Sequence, residues 1–148
     1  MNLKNEKLFK QECFINGDWV KSNNNQTLDV NNPSSLEIIG TVPKCGKEET
    51  KIAIEAANSS WDDWKARPAI ERSALLRKWF NLIESNHEDL AQIMTMEQGK
   101  PITESRGEIT YGASFVEWFA EEAKRVYGDI IPDRLTDRRI VVIKQPVG

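Results

Sequence analysis

Between residues 47 and 128 the hydrophobic positions recur every three or four residues, which is the spacing of amphipathic helices. The first predicted helix begins at Lys47 and carries Trp61 and Trp64 near its end. The second begins at Pro68, and the third follows Asn86, a side chain suited to a helix N-cap. The positions assigned to their buried faces are Ile52, Ala53, Ala56, Ala57 and Ser60, then Ile70, Ala74, Leu76, Trp79, Phe80 and Ile83, then Leu90, Ile93 and Met94.

The longest predicted helix lies between Pro101 and Gly128, which is its predicted stop. Gly99 closes the helix before it, because glycine adopts left-handed C-terminal geometry at little cost. Gly112 and Ala113 are small where two rows of apolar side chains meet, which predicts that another backbone comes close. The two rows are Ile102, Ile109, Gly112, Val116, Phe119 and Ala123, and beside them Tyr111, Phe115 and Trp118.

The remaining hydrophobic positions form short runs typical of strands. Residues 14–15 and 19–20 flank Asn16-Gly17-Asp18 and predict a tight hairpin. Residues 27–30 and 38–42 predict two further strands, and the β-branched run at 140–143 predicts a last one. The first third of the chain therefore reads as small antiparallel β structure, and the chain as a whole as mostly helical.

Composition and charge exclude several function classes. Hydrophobic residues make up 39% of the chain and charged residues 29%, as in ordinary globular proteins. The net charge of −3 comes from 20 basic and 23 acidic residues spread along the sequence, so no basic stripe indicates nucleic-acid binding. The sequence contains no apolar run suited to a membrane, and residues 1–11 lack the apolar core of a signal peptide. We expect a cytoplasmic protein whose two cysteines are reduced.

Candidate catalytic chemistry is sparse. His87 is followed by Glu88, but a zinc H-E-x-x-H site needs a histidine at position 91, which is alanine, so His87 is expected to face solvent. Residues 107–114 have the glycine spacing of a phosphate loop but lack its lysine and lie inside a predicted helix. Cys45 precedes a helix and has lysines nearby, which favours mild reactivity, whereas Cys13 has no such surroundings.

Several segments, in order, resemble the aldehyde dehydrogenase superfamily. They are FINGDWV at 14–20, NNPSSLEIIGTVP at 31–43, EQGKPITESRGEI at 97–109, SFVEWFAEEAKRVYGDIIP at 114–132 and RRIVVIKQPVG at 138–148. The likeness is greatest to bacterial NADP-dependent succinate-semialdehyde dehydrogenases. Members of the family are several times longer, so the resemblance identifies this sequence as an amino-terminal portion.

The resemblance implies an α/β fold of the aldehyde dehydrogenase type. Residues 1–136 would belong to the cofactor-binding domain, and residues 137–148 would form the first arm of an oligomerisation hairpin. The implied activity is oxidation of succinic semialdehyde to succinate with NADP or NAD, through a cysteine thiohemiacetal. That cysteine and the contacts to the cofactor would follow Gly148, so the 148-residue chain alone is expected to be inactive.

Two other functions stay open at this stage. The aldehyde substrate could be a different semialdehyde of similar length, such as glutarate semialdehyde. Alternatively, the chain could act alone as a helical interaction module.

The resemblance also carries three roles onto residues that are present. Tyr111 and Phe115 would line the tunnel through which the aldehyde enters. Glu97, with backbone carbonyls at Val30 or Asn31, would hold a structural monovalent cation, unless Glu97 is simply a solvated acid at a helix end. The strand at 138–145 would pair with another copy in a homo-oligomer, because an isolated arm leaves backbone N–H and C=O groups unpaired.

Overall fold

The computed structural model describes residues 1–147, in which a helical bundle lies beside three two-stranded antiparallel sheets. The strands are β1 (Cys13–Ile15), β2 (Asp18–Val20), β3 (Thr27–Asn31), β4 (Ile38–Pro43), β5 (Asp129–Ile131) and β6 (Ile140–Val142). The helices are α1 (Lys47–Ser59), α2 (Trp61–Ala66), α3 (Ala69–Ser85), α4 (His87–Gln98) and α5 (Ile102–Glu122), with short 3₁₀ turns at Glu6–Leu8 and Ala123–Arg125. Strands pair in chain order, β1 with β2, β3 with β4 and β5 with β6.

The first two hairpins agree with the pattern in the sequence. Asn16 and Gly17 both have positive φ, 54° and 90°, as a two-residue turn between twisted strands requires. That turn pairs Ile15 with Asp18. The register of β3 and β4 shifts after Val30, so a bulge lies at Val30/Asn31 just before the turn at 32–37.

The first predicted helix is in fact two helices. Ser60 separates α1 from α2, and its hydroxyl donates to the carbonyl of Ala57 at 2.9 Å while that of Ser59 donates to Ala56 at 2.9 Å. Such back-bonding competes with the helical ladder, so two consecutive serines give a place for the helix to end. Trp61 then starts α2 instead of finishing α1.

The end of α5 also differs from the prediction. The helix ends at Glu122 and tightens into a 3₁₀ turn, so Gly128 is not its stop. Gly128 instead lies where β5 meets β6, and a Cβ added there would collide with the carbonyl of Val142. Glycine at this position is therefore explained by a close approach of two backbones. Gly99 does end α4, with φ of 70°, as predicted.

The core of the bundle is a seam where α5 packs against both α3 and α4. Ala113 and Ala120 on α5 and Ala91 on α4 are 0–1% exposed. Ser105 of α5 is also fully buried, and its hydroxyl lies 2.8 Å from that of Thr95 on α4, so this polar pair is satisfied inside the seam. The side chains that allow close packing are small, in keeping with helices that approach each other closely.

Gly112 does not take part in this seam, contrary to the prediction. A Cβ built on Gly112 meets no atom within 4 Å, whereas the adjacent Ala113 is buried. Phe119 is likewise 57% exposed, while Ala120 beside it is buried. The buried positions of α5 are Ser105, Ala113 and Ala120, so the large apolar side chain of Phe119 was wrongly counted as core.

The sequence suggested that β6 is an isolated arm, but the structure shows otherwise. It pairs along one edge with β5, with Ile131 opposite Ile140 and Ile130 opposite Val141. Residues 130–131 were not predicted as a strand because a run of two apolar residues carries no alternation. The pairing leaves β6 as one half of a two-stranded sheet.

Polar side chains of α4 and of the α3–α4 junction make two well-defined contacts with backbone groups. Asp89 of α4 is 4% exposed and accepts hydrogen bonds from the backbone N–H groups of Lys4 at 3.0 Å and Asn5 at 2.8 Å. Asn86 precedes α4 as expected, but its side chain donates to the carbonyl of Leu82 at 2.8 Å. It therefore caps the end of α3 and not the start of α4.

Opposite effects are expected at Gly112 and Ala113 of the 148-residue chain. Gly112→Ala should stabilise it by up to about 1 kcal/mol, because alanine favours helix and has open space there. Ala113→Leu should destabilise it by about 1–3 kcal/mol through overpacking of the seam. Urea unfolding of both variants measures the difference, and a neutral Ala113→Leu beside a destabilising Gly112→Ala would contradict the packing described.

Candidate functional site

The outer face of α5 carries a row of exposed aromatic side chains, which we call the α5 aromatic face: Tyr111, Phe115, Trp118 and Phe119. Tyr111 is 66% exposed and Phe115 is 47% exposed. Their ring centroids lie 4.8 Å apart with an interplanar angle of 85°, an edge-to-face arrangement that favours aromatic pairs. Both predicted tunnel residues therefore lie side by side and point away from the helical seam.

Arginine ion pairs hold α5 in place against its two neighbours. Arg77 of α3 donates to Glu117 at 2.6 Å and to Glu121 at 2.7 Å. Arg106 of α5 donates to both carboxylate oxygens of Glu88 on α4, at 2.8 and 2.7 Å. The planar guanidinium suits such two-pronged contacts, so each arginine fixes orientation as well as distance.

These contacts shift the pKa values of the carboxyls in the direction that favours charge. The Lys124 ammonium, together with the Arg77 guanidinium, lowers the pKa of Glu121 to about 2. The hydrogen bonds from Arg106 lower the pKa of Glu88. Because the folded pKa values are depressed, the stabilisation by both carboxylates is present at neutral pH and is lost as the pH falls through the folded values.

The two turns proposed for a cation site lie next to each other. A Cβ added to Gly99 would come within 2.7 Å of the ring of Pro33, and the side chain of Asn32 approaches the sulfur of Met96 at 3.8 Å. The end of β3 and the end of α4 are thus in contact, although about 65 residues of sequence separate them.

The three predicted cation ligands belong to these two segments. Val30 and Asn31 lie at the bulge that ends β3, and Glu97 is exposed in the last turn of α4. Asn31 uses its side-chain nitrogen to donate to the carbonyl of Leu36 at 3.3 Å. Within residues 1–147 no group of three or more His, Cys, Asp or Glu side chains is placed to hold a metal ion. A site here would depend on backbone carbonyls, and it stays a prediction.

The two cysteines, far apart in sequence, are brought together. The sulfur of Cys13 lies 3.7 Å from that of Cys45, and both residues are partly exposed. Desolvation raises the pKa of the Cys45 thiol, and the contact with Cys13 raises it further. These surroundings disfavour the Cys45 thiolate, so they do not support the mild reactivity that the nearby lysines and the helix start favour from sequence alone.

Glu49 connects the start of α1 to the loop after β2. The residue is only 8% exposed, and its carboxylate accepts from the backbone N–H of Asn23 at 2.7 Å and from that of Gly46 at 2.8 Å. The bond to Gly46 is one half of a capping box. The hydrogen bond from Asn23, followed by that from Gly46, lowers the pKa of Glu49.

His87 is half-buried and does not simply face solvent. Its Nε2 lies 3.0 Å from the carbonyl of Arg106 and 3.0 Å from the hydroxyl of Thr110, both on α5. The first turn of α4 is thus joined to the middle of α5. The glycine-spaced stretch at 107–114 lies inside α5, where its N–H groups belong to the helix, so it forms no phosphate loop.

The sheets of residues 1–147 differ from those of a βαβ dinucleotide-binding unit. All three sheets in this part of the chain are two-stranded and antiparallel, so no parallel strand leads into a helix whose N-terminus could receive a pyrophosphate. No helix among these residues has the length and apolar character to span a membrane.

Comparison with known proteins decides the family. The model of the "Aldehyde dehydrogenase family" matches residues 19–148. The chain belongs to the aldehyde dehydrogenase family. Its architecture of helices and short antiparallel strand pairs is accordingly that of a part of an aldehyde dehydrogenase.

Relatives of known name agree with this assignment. The chain is 57% identical over 148 residues to a glutarate-semialdehyde dehydrogenase of Pseudomonas putida and 52% identical to an NADP(+) succinate-semialdehyde dehydrogenase of Escherichia coli. In each case the match covers 100% of this chain and 31% of the relative. The chain thus spans about a third of the length of these aldehyde dehydrogenases.

Solved structures of aldehyde dehydrogenases have the same fold over this region. A succinate-semialdehyde dehydrogenase from Burkholderia pseudomallei superposes with a TM-score of 0.96 at 48% identity, covering 100% of this chain and 31% of that one. An Escherichia coli NADP-dependent enzyme gives a TM-score of 0.95 at 52% identity, covering 98% and 30%.

A test of the Glu49 anchor uses its pKa. Glu49→Gln should lower the melting temperature at neutral pH, because one acceptor is lost and an amide NH₂ faces a backbone donor. The lowered pKa means that the carboxylate contribution is fully present above the ordinary value of 4.5 and is lost as the pH falls through the folded value. The difference in melting temperature between the two proteins should therefore shrink between about pH 7 and about pH 3.

The matched control for this test is Glu48→Gln, which changes the exposed neighbouring acid in the same helical turn. It should show no comparable pH-dependent difference. A difference for Glu49→Gln that stays constant across the pH range would contradict the assigned role of its charge.

Proposed function

We propose that this chain is the amino-terminal part of an NAD(P)-dependent aldehyde dehydrogenase that oxidises succinic semialdehyde to succinate. The observation that carries the proposal is identity of 52–57% over the whole chain with relatives whose names specify succinate or glutarate semialdehyde. Residues 1–136 would contribute to the cofactor-binding domain, and residues 137–148 to the oligomerisation hairpin. The alternative of a stand-alone helical interaction module receives no support from the comparisons.

Glutarate semialdehyde is the second candidate substrate, favoured by the 57% identity to the Pseudomonas putida enzyme of that name. The two aldehydes carry the same terminal carboxylate and differ by one methylene. A pocket distinguishes one methylene by about 10- to 200-fold in kcat/KM. The preference between the two substrates is therefore a measurable property of pocket length.

The α5 aromatic face is proposed as part of the wall along which the aldehyde enters. Tyr111 and Phe115 present apolar ring surface suited to the methylene chain of a semialdehyde, and their mutual edge-to-face contact limits their motion. Backing by the buried Ala113 and by the Arg77 ion pairs gives that wall a fixed position. The proposal rests on exposure and rigidity at these two positions.

Two assembly roles are proposed for the ends of the sheets. The edge of β6 that does not pair with β5 is suited to pairing with a second copy of the enzyme. Glu97, with the carbonyls of Val30 or Asn31, is proposed to hold a monovalent cation, supported by the contact between the two turns at Pro33 and Gly99. A cation there would join the β3–β4 hairpin to α4.

The cofactor, NADP or NAD, is proposed to bind outside the described residues. The name of the Escherichia coli relative specifies NADP(+). No step of the reaction is assigned to residues 1–147.

The test of the function is an activity screen of the full-length gene product with both semialdehydes and both cofactors. Succinic semialdehyde should give the highest kcat/KM, with glutarate semialdehyde lower by about tenfold or more. The isolated 148-residue chain should show no aldehyde-dependent reduction of either cofactor. Turnover by the isolated chain, or a full-length protein inactive on both semialdehydes, would contradict the proposal.

The tunnel role is tested with Tyr111→Ala and Phe115→Ala in the full-length protein. Each should raise KM for the semialdehyde by about tenfold, the equivalent of about 1.4 kcal/mol, with a smaller effect on kcat. Thr103→Ala, an exposed change in the first turn of α5, is the matched control and should leave KM unchanged. Unchanged KM in both aromatic variants would remove these residues from the substrate path.

A further inference from the structure

The fold places the chain's two cysteines against each other. Cys13 begins β1, and Cys45 lies in the loop between β4 and α1, 32 residues later. Their sulfur atoms are 3.7 Å apart, and both residues are partly exposed, so a small oxidant can reach them. A disulfide requires the sulfurs to approach to about 2.05 Å, a movement that rotation of the two side chains can supply.

Backbone hydrogen bonds on both sides keep this pair in register. Cys13 pairs with Val20 in the first hairpin. Lys44 donates its backbone N–H to the carbonyl of Gln26 at 2.8 Å, and Gly46 donates to Glu49 at 2.8 Å. The residues before and after Cys45 are therefore fixed, and the contact between the two sulfurs is a property of the fold.

We propose that Cys13 and Cys45 form a reversible intramolecular disulfide when the protein meets a peroxide. One thiolate attacks the peroxide, breaking its O–O bond and becoming a sulfenic acid while hydroxide leaves. The second thiol, losing its proton, then attacks that sulfur, the S–S bond forms, and water leaves. Two electrons pass from the thiols to the peroxide, and a dithiol reductant returns them by exchange.

The disulfide would lock the β1–β2 hairpin to the start of α1. The closed loop contains both amino-terminal hairpins, so cross-linking it restricts the unfolded chain and raises stability. Formation of the bond also protects both sulfurs from irreversible oxidation to sulfinic acid.

The experiment treats the full-length protein with hydrogen peroxide, blocks free thiols with iodoacetamide and maps tryptic peptides under non-reducing conditions. Trypsin places Cys13 in peptide 11–21 and Cys45 in peptide 45–47. We expect these two peptides to be joined, about 2 Da lighter than the sum of the reduced pair, and separated again by dithiothreitol. The joined peptide should come from the monomer band of a non-reducing gel and be absent from Cys13→Ser and Cys45→Ser.

The second readout is stability. Oxidised wild type should melt about 5 °C or more above the reduced protein, and peroxide should not raise the melting temperature of either serine variant. Alkylation of both peptides after peroxide, sulfinic acid at either cysteine without the link, or a link only between two chains would overturn the proposal. A link within the chain that leaves the melting temperature unchanged would overturn the locking role.

Discussion

Close packing of α5 against α3 and α4 determines where every exposed feature of this chain lies. The most deeply buried side chains of the seam are small, namely Ala91, Ser105, Ala113 and Ala120. Small side chains let three helices approach closely, and the arginine contacts at Arg77 and Arg106 fix their rotation. Because the small side chains of α5 face inward, its large aromatic side chains face outward.

This arrangement is the reverse of the one that the apolar pattern of a helix usually indicates. In a closed domain the aromatic side chains would form the core, yet here Trp118 and Phe119 are 64% and 57% exposed. The chain spans about a third of its aldehyde dehydrogenase relatives, and exposed apolar area of this kind marks surfaces that meet other protein or a ligand. The aromatic face and the proposed tunnel wall are thus two descriptions of the same surface.

Local chemistry in the sequence was enough to predict the hairpin at Asn16-Gly17, the helix end at Gly99 and the existence of the long helix. These features depend on φ preference and periodicity, which neighbouring residues determine. The inward face of α5 was not predictable in this way, because it depends on which side of the helix meets α3 and α4. Long-range polar contacts could not be predicted from the sequence either. Arg77 and Glu117 are 40 residues apart, and the sequence offers many other charged side chains with which each could pair.

Tyr111 and Phe115, which the resemblance assigned to the tunnel wall, are exposed on α5, whereas the resemblance gave no hint of the sulfur contact between Cys13 and Cys45. Resemblance to a family identifies the positions that the family uses for chemistry. A contact between two residues outside that set has to be found from coordinates.

The buried carboxylate of Asp89 holds the first residues of the chain against α4. Its two oxygens receive the N–H groups of Lys4 and Asn5, and Gln92 one turn further along accepts from Asn2 at 3.2 Å. Truncation up to residue 5 would remove both of these backbone donors from the Asp89 carboxylate. Residues 2–5 thus lie across α4, and a fusion tag placed ahead of them has to leave these hydrogen bonds intact.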